Sequence, residues 1–373
     1  MNENRQDAPS VATSTQTSRM KIVVVDVAAS GGGALTVLRG FHTAACSSTE
    51  HDWVFCVSTP KLPSAENVAI KSYPWTKRSW LHRLFFEYIT APLTIRKEAP
   101  NTVFSLQNVA VRAHGVRQVV YLHQPIPFAD FRFGLFESPL MWAYQNLISK
   151  LIKRGLKQAD AIIVQTQWMR EKVSHLLAAN AVPIFVIAPE IAVHSARYEP
   201  TEKNRRQFFY PATAQSYKNH RVIIDASKFL RSMGIRDFEV ILTISARDLR
   251  DLGYRDAPVP IVATGQLTYE EVRNHYASSV LFFPSKLETF GLPLLEARMA
   301  RTFILAADTP FAREILDGYP NASLFEPDDA EALANLMEGI ASGRTPYEEA
   351  LEMSAPALGK WHDVVDVVAG NPR

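Results

Sequence analysis

At 373 residues and 47% hydrophobic content, the chain is long enough for two domains with proper cores and too apolar for a disordered protein. The net charge of +2 is unevenly divided: residues 20–195 hold 18 Lys/Arg against 11 Asp/Glu and residues 196–373 hold 20 against 25, which suggests an anionic surface or substrate beside the first half, or an ordinary solvated distribution. Two cysteines, Cys46 and Cys56, exclude a disulfide framework and fit core residues in a reducing cytosol, and no apolar run reaches the roughly 18–20 residues that span a bilayer.

Residues 1–19 are rich in Ser, Thr, Gln and Asn and lack an apolar run, so a disordered tail is expected rather than a signal peptide. MKIVVVDV (20–27) is then a continuous apolar run, the pattern of a strand buried on both faces. A glycine loop and a helical pattern follow it. Further strands are expected at 52–58, 102–106, 117–123 and 160–166, alternating with helices such as 138–157 and 167–177. This alternation is the signature of a doubly wound α/β sheet. Periodicity fades over 187–207, and a fresh strand at 208–212 opens a second domain, so the boundary falls at 195/196. The second half repeats the pattern, with a helix near 217–233, strands at 238–244, 260–264, 280–285 and 302–307, and helices at 268–277, 292–300, 309–316 and 328–342. Two successive α/β domains imply a cleft between facing strand ends, where ligands bind in such sheets.

The most informative stretch is SKLETFGLPLLEARMA (285–300). It is a loop leaving a strand, then a helix whose Pro293 sits near the first helical position, where its missing N–H costs nothing. Gly291 and its neighbours therefore offer backbone N–H groups at a helix start, a site suited to phosphate. Glu288 on the loop and Glu296 inside the helix can point into the cleft, and carboxylates suit sugar hydroxyls because they only accept hydrogen bonds. A plain loop charge and an exposed helix residue are the alternative on spacing alone.

With seven residues between the two glutamates and Phe-Gly at the centre, the stretch resembles the E-x7-E motif of family-4 retaining glycosyltransferases of the GT-B fold. ATGQLTYEEVRNHYASSVLFFPS upstream and FILAADTPFAREILDGYPNASLFEPDD downstream, through Glu314, are similar to the rest of that pattern. The resemblance covers most of 208–342 and extends loosely to the first half. It implies two Rossmann-like doubly wound domains facing a central cleft: 20–195 on the acceptor side, 196–345 holding a nucleotide-sugar donor, and a helix within 346–373 crossing back to the first domain. It further implies that Glu288 contacts donor-sugar hydroxyls, that Glu296 accepts from the nucleotide ribose, and that the backbone at Phe290, Gly291 and Leu292 holds the diphosphate. Lys218, in YPATAQSYKNHR, matches the family's phosphate-binding lysine and would open a helix. The family's arginine about six residues earlier is absent, Ala212 standing there, with Arg247 a candidate substitute. His123, at the end of VVYLHQP, matches the active-site histidine near donor sugar and acceptor.

Gly31-Gly32-Gly33 departs from G-x-G-x-x-G, and the second strand lacks a terminal acidic residue, which disfavours an NAD-dependent oxidoreductase. A glycine loop at Gly32 and Gly33 that approaches the donor phosphate fits with fewer mismatches. Segments 76–90 and 147–158 interleave Lys, Arg, Trp and Phe at helical spacing, as would an amphipathic helix on an anionic membrane or an ordinary domain helix with a basic solvent face. The aromatic loop 124–134 could border a lipid-linked acceptor. No nucleic-acid reader and no metal-ligand spacing is apparent.

The expectation is therefore a cytoplasmic enzyme, peripheral on the inner face of the membrane if those segments bind it. It would transfer a sugar with retention from a nucleotide-diphosphate sugar to a saccharide acceptor, such as a lipid-linked saccharide of bacterial surface polysaccharide, without cofactor or metal. A catalytically silent protein of the same fold, binding a nucleotide sugar or a partner transferase, is the rival, supported by the missing arginine and by Arg301 where the family often has glycine.

Overall fold

The computed structural model describes residues 19–136, 138–178, 181–190, 197–254, 260–349 and 359–371. The expected tail before residue 19, the boundary at 195/196 and part of the segment 346–373 lie outside these residues. Seven parallel strands form the first sheet: β1 (Lys21–Asp26), β2 (Asp52–Val57), β3 (Val68–Ser72), β4 (Thr102–Ser105), β5 (Arg117–Leu122), β6 (Ala161–Val164) and β7 (Ile184–Val186). Their order is β3-β2-β1-β4-β5-β6-β7, with the change of direction beside β1. Their helices are α1 (Gly32–Ser47), α2 (Trp80–Phe85), α3 (Ala91–Glu98), α4 (Pro139–Ala143), α5 (Ser149–Leu156) and α6 (Gln167–Leu177).

The central strands read as apolar runs because both faces are covered. Ile22, Val24, Phe104, Val119 and Tyr121 pack with α1 on one face. Val23, Val25 and Val103 face the other way, with Phe86 and Ile95. Register carries that second face across the sheet, since Val23 lies beside Val103 and Ser105 beside Val120. Val120, Leu122, Ile162 and Val164 thus share it, packed with Ile152 and Leu156 of α5.

After α7 (Glu202–Arg205), six parallel strands form the second sheet: β8 (Gln207–Tyr210), β9 (Glu239–Leu242), β10 (Ile261–Ala263), β11 (Val280–Phe283), β12 (Ile304–Ala307) and β13 (Ala322–Phe325), in the order β10-β9-β8-β11-β12-β13. Its helices are α8 (His220–Ser232), α9 (Ala246–Asp251), α10 (Tyr269–Ser278), α11 (Leu292–Met299), α12 (Pro310–Leu316) and α13 (Ala330–Ala341). Thr268 and Ser245 start α10 and α9 with reciprocal capping boxes.

The last helix, α14 (Trp361–Ala369), belongs to the first sheet. Trp361, Val364 and Val368 join the core of Phe41 and Tyr121. Gly40 is required there: a Cβ would stand 2.5 Å from the Trp361 indole nitrogen. The Arg117 guanidinium donates to the carbonyls of Val368 and Val367 at 2.8 and 3.0 Å, satisfying the helix end. Three strands, β3, β7 and β13, had no counterpart among the expected elements, and each lies at the edge of its sheet. The helix expected over 138–157 contains a π-turn at Tyr144–Ile148, and α2 and α3 are joined by another at Phe86–Thr90.

Candidate functional site

In a parallel sheet each helix starts where the preceding strand ends, so the loops after the neighbouring central strands β8 and β11 meet at the carboxyl end of the second sheet. Gly291 stands at the start of α11 with φ of 90°, a left-handed conformation that favours glycine. An added Cβ would also meet Leu294 Cδ1 at 3.3 Å and Phe283 Cζ at 3.4 Å. Phe290 is buried in the second core and Leu292 packs partly against it, so their side chains anchor the loop and leave its backbone as the polar surface.

Lys218 does not open a helix. It ends a 3-10 turn, Ser216–Lys218, and α8 starts two residues later, after Asn219 with φ of 57°. Asparagine tolerates that conformation, and its amide donates to the Pro327 carbonyl at 2.6 Å. The Tyr210 hydroxyl donates to the Lys218 carbonyl at 2.9 Å, which fixes the turn to the end of β8. From it the Lys218 ammonium reaches the Glu288 carboxylate in an ion pair. Ser285 Oγ donates to the same carboxylate oxygen at 2.7 Å. The two paired side chains are 18% and 16% exposed, sheltered enough that their attraction is only weakly screened yet still open to a ligand.

Glu296 points elsewhere. The Tyr276 hydroxyl donates to its carboxylate at 3.0 Å. Burial raises its pKa to about 7, against the hydrogen bonds from Tyr276 and Tyr269 and the charge of Arg273, which favour the ionised form. The carboxyl therefore titrates near neutrality.

Across the cleft, His123 follows β5. Its Nε2 lies 2.6 Å from the Leu106 carbonyl, which only accepts, so Nε2 carries the proton and Nδ1 is the free acceptor. Its own backbone N–H donates to Asn108 Oδ1 at 2.6 Å. Burial lowers its pKa to about 4, outweighing the Leu106 carbonyl, so the ring is neutral at physiological pH. Gly32 and Gly33 are exposed at the start of α1, Gly32 with φ of 58°, and no atom stands within 4 Å of a Cβ built on either.

The two walls are joined beside the ion pair. Thr166 Oγ1 donates to the Thr289 carbonyl at 2.9 Å, within the loop that carries Glu288. Glu314 of α12 accepts from the Gln167 and Trp168 N–H groups at 2.8 and 3.2 Å, so one domain caps a helix of the other. Leu287 is buried in the first domain's cluster with Leu122 and Trp168. A cavity of about 1020 Å³ opens between the domains alongside, lined by Phe131, Arg132, Tyr217, Lys286 and the turn from Glu326.

The structure thus brings Lys218 and Glu288 into contact and places Glu296 in a separate hydrogen-bonded niche. Arg247 stands on α9, 84% exposed, 3.8 Å from Asp251. Sequence reasoning assigned no role to Ser285, Tyr269, Tyr276 or Asn108. Ser285 lay within the quoted motif and Tyr276 in the stretch quoted upstream of it, but only packing shows that they hold the two glutamates.

Two family models match the chain: glycosyl transferases group 1 over residues 255–356 and glycosyltransferase family 4 over residues 32–193. The O-antigen chain mannosyltransferase RfbU of Salmonella typhimurium is 20% identical over 64% of this chain, and the match spans 63% of that relative's length. Among solved structures, WaaG, a glycosyltransferase involved in lipopolysaccharide biosynthesis, superposes with a TM-score of 0.68 at 12% identity, covering 94% of this chain and 100% of its own. HepE of Anabaena, in complex with UDP and glucose, gives 0.60 at 15% identity, covering 87% and 91%.

Proposed function

We propose, from the premise that the chain belongs to the group 1 glycosyltransferases of the GT-B fold, that it moves a sugar from a nucleotide-diphosphate sugar to a saccharide acceptor with retention of configuration. The observation that carries this reading is the Lys218–Glu288 pair, held by Ser285 beside the start of α11. Lys218 and that helix start supply positive charge where a leaving diphosphate needs it, so the chemistry calls for no metal ion. Glu288 supplies paired acceptors for sugar hydroxyls. Glu296, in its tyrosine niche on the same helix, would accept from the ribose.

Retention fits front-face attack. The bond from the anomeric carbon to the diphosphate breaks as the bond to the acceptor oxygen forms on the same face, and the acceptor proton passes to the departing phosphate oxygen. Neutral His123 presents Nδ1 as an acceptor to a hydroxyl of donor or acceptor and does not change charge during the step. Closure of the walls over a bound donor would exclude water and so suppress its hydrolysis.

Relatives named for O-antigen and lipopolysaccharide synthesis support a lipid-linked saccharide as acceptor, at the cytoplasmic face of a membrane. The cavity beside Tyr217 has room for several sugar rings. Calorimetry and product analysis of the purified protein with UDP-, GDP- and dTDP-sugars test the reading. Saturable binding of one donor with detectable transfer or slow hydrolysis is expected. Binding without turnover on any acceptor favours the silent protein, and absence of nucleotide-sugar binding overturns the proposal.

A further inference from the structure

Among the described residues, seventeen large hydrophobic side chains are exposed, and twelve of them lie between residues 80 and 151. This stretch holds two helical runs, α2 through α3 and α4 through α5, each interrupted midway by its π-turn. Helical spacing alone is equally consistent with a buried or an exposed apolar stripe. Trp80 is 70% exposed, Leu81 61%, Phe85 56% and Leu93 61%; on the second run Leu140 is 71% and Leu147 58% exposed. Phe85, Ile89 and Leu93, four residues apart, project outward, while Phe86 and Ile95 enter the core.

Both runs cover the same face of the first sheet, the face shared by Val23, Val103, Val120 and Ile162. They lie side by side. The first run covers β1 and β4 and the second covers the neighbouring β5 and β6, with the loop at Ala110 packed against Gly155. Their outer surfaces therefore form one apolar face.

Apart from two paired carboxylates, the charge on these two runs is positive. Between residues 74 and 98 the carboxylates are Glu87, bonded to Arg83 and Gln107, and Glu98, paired with Lys21 and Lys71. Residues 138–157 contain no carboxylate at all. Lys77, Arg78, Arg96, Lys97, Lys150 and Arg154 are exposed. An apolar protein partner would need no such cations. Apolar side chains with uncompensated cations around them match the acyl boundary and phosphate headgroups of an anionic lipid surface. Lys77 also donates to the Ala28 carbonyl, three residues before the glycine loop, so the rim of this face adjoins the mouth of the cleft.

We propose that this two-helix face docks on an anionic phospholipid bilayer and presents the cleft to acceptors carried there. The purpose rests on the transferase reading; the docking does not. The test is co-sedimentation of the full chain with vesicles of phosphatidylglycerol and phosphatidylethanolamine, or of phosphatidylcholine alone, with nucleotide-sugar binding measured in parallel. Wild type should bind the anionic vesicles, weaken in 0.5 M salt, and bind phosphatidylcholine at least tenfold less. The exposed triple variant L81S/F85S/L93S should lose at least tenfold in vesicle affinity while binding donor normally and keeping its circular dichroism. A folded triple variant that partitions like wild type overturns the proposal. So does a variant whose only change is from dimer to monomer, because the face would then meet a second copy of the chain. Vesicle binding by a protein that takes no nucleotide sugar upholds the docking and removes the transferase reading.

Discussion

The two domains share a doubly wound architecture and present opposite chemistries to their surroundings. The second gathers its functional groups inward: Lys218, Glu288 and Ser285 hold one another, and Glu296 is held by tyrosines. The first turns Trp80, Phe85 and Leu140 outward, with cations and no free carboxylate on the same helices. A small, highly polar ligand is bound best by groups already fixed in place, since little ordering remains to be done on binding. A large surface needs area and charge of one sign more than fixed geometry. On the two proposals above, the shared fold would serve two kinds of recognition, separated by where the polar side chains find partners.

The largest effect should come from breaking the inward set. Lys218→Ala is expected to lower kcat about 10²–10³-fold, the usual effect of removing one group that stabilises developing charge, with vesicle binding unchanged. Wild-type turnover in that variant would detach the lysine from the leaving group.

A smaller, pH-dependent effect is expected at Glu296. Its carboxyl holds a proton up to about 7 in the folded chain and would release it near 4.5 when unfolded, so stability falls as pH rises through that window. Glu296→Gln should raise Tm near pH 8 more than near pH 5. A ribose hydroxyl prefers the ionised acceptor, so wild-type donor affinity should climb with pH through 7 and flatten in the variant. A flat wild-type profile would remove the ribose from this niche.

The smallest effect tests the join between the walls. Thr166→Val removes the bond to Thr289 and the N-cap bond that Thr166 accepts from Met169, a loss of about 1–2 kcal/mol. It should raise the donor KM severalfold with kcat nearly intact. An unchanged KM would mean that the Glu288 loop keeps its place without the first domain.

Much of this was legible in the amino acids. β1, β5 and β11 are apolar on both faces, so their runs stand out, whereas the edge strands are only partly covered: β3 and β13 mix Lys, Ser and Ala into short segments, and β7 is just three residues, Ile-Phe-Val. Glu288, Gly291 and Glu296 were singled out by their spacing. Which partner each glutamate takes was not, because Tyr276 reaches Glu296 from a different helix, twenty residues earlier. The turn at Lys218 was hidden by Asn219, which reads as helical until its side chain is seen holding Pro327. Nor can a periodic stripe say which side of it faces the core, and so the outward helices of the first domain became visible only once the sheet beneath them was drawn.

The position of α14 carries a consequence for biosynthesis. Phe41 and Tyr121 belong to a core closed by Trp361, a residue that leaves the ribosome only after the whole second sheet has been made. The strands of the second sheet, β8 to β13, follow one another along the chain without interruption by the first domain, so that sheet can consolidate as it emerges. The first domain, although translated earlier, waits with part of its core uncovered and its apolar helices exposed. During that interval the nascent chain is most vulnerable to aggregation, and removing the residues from Trp361 onward would make the interval permanent.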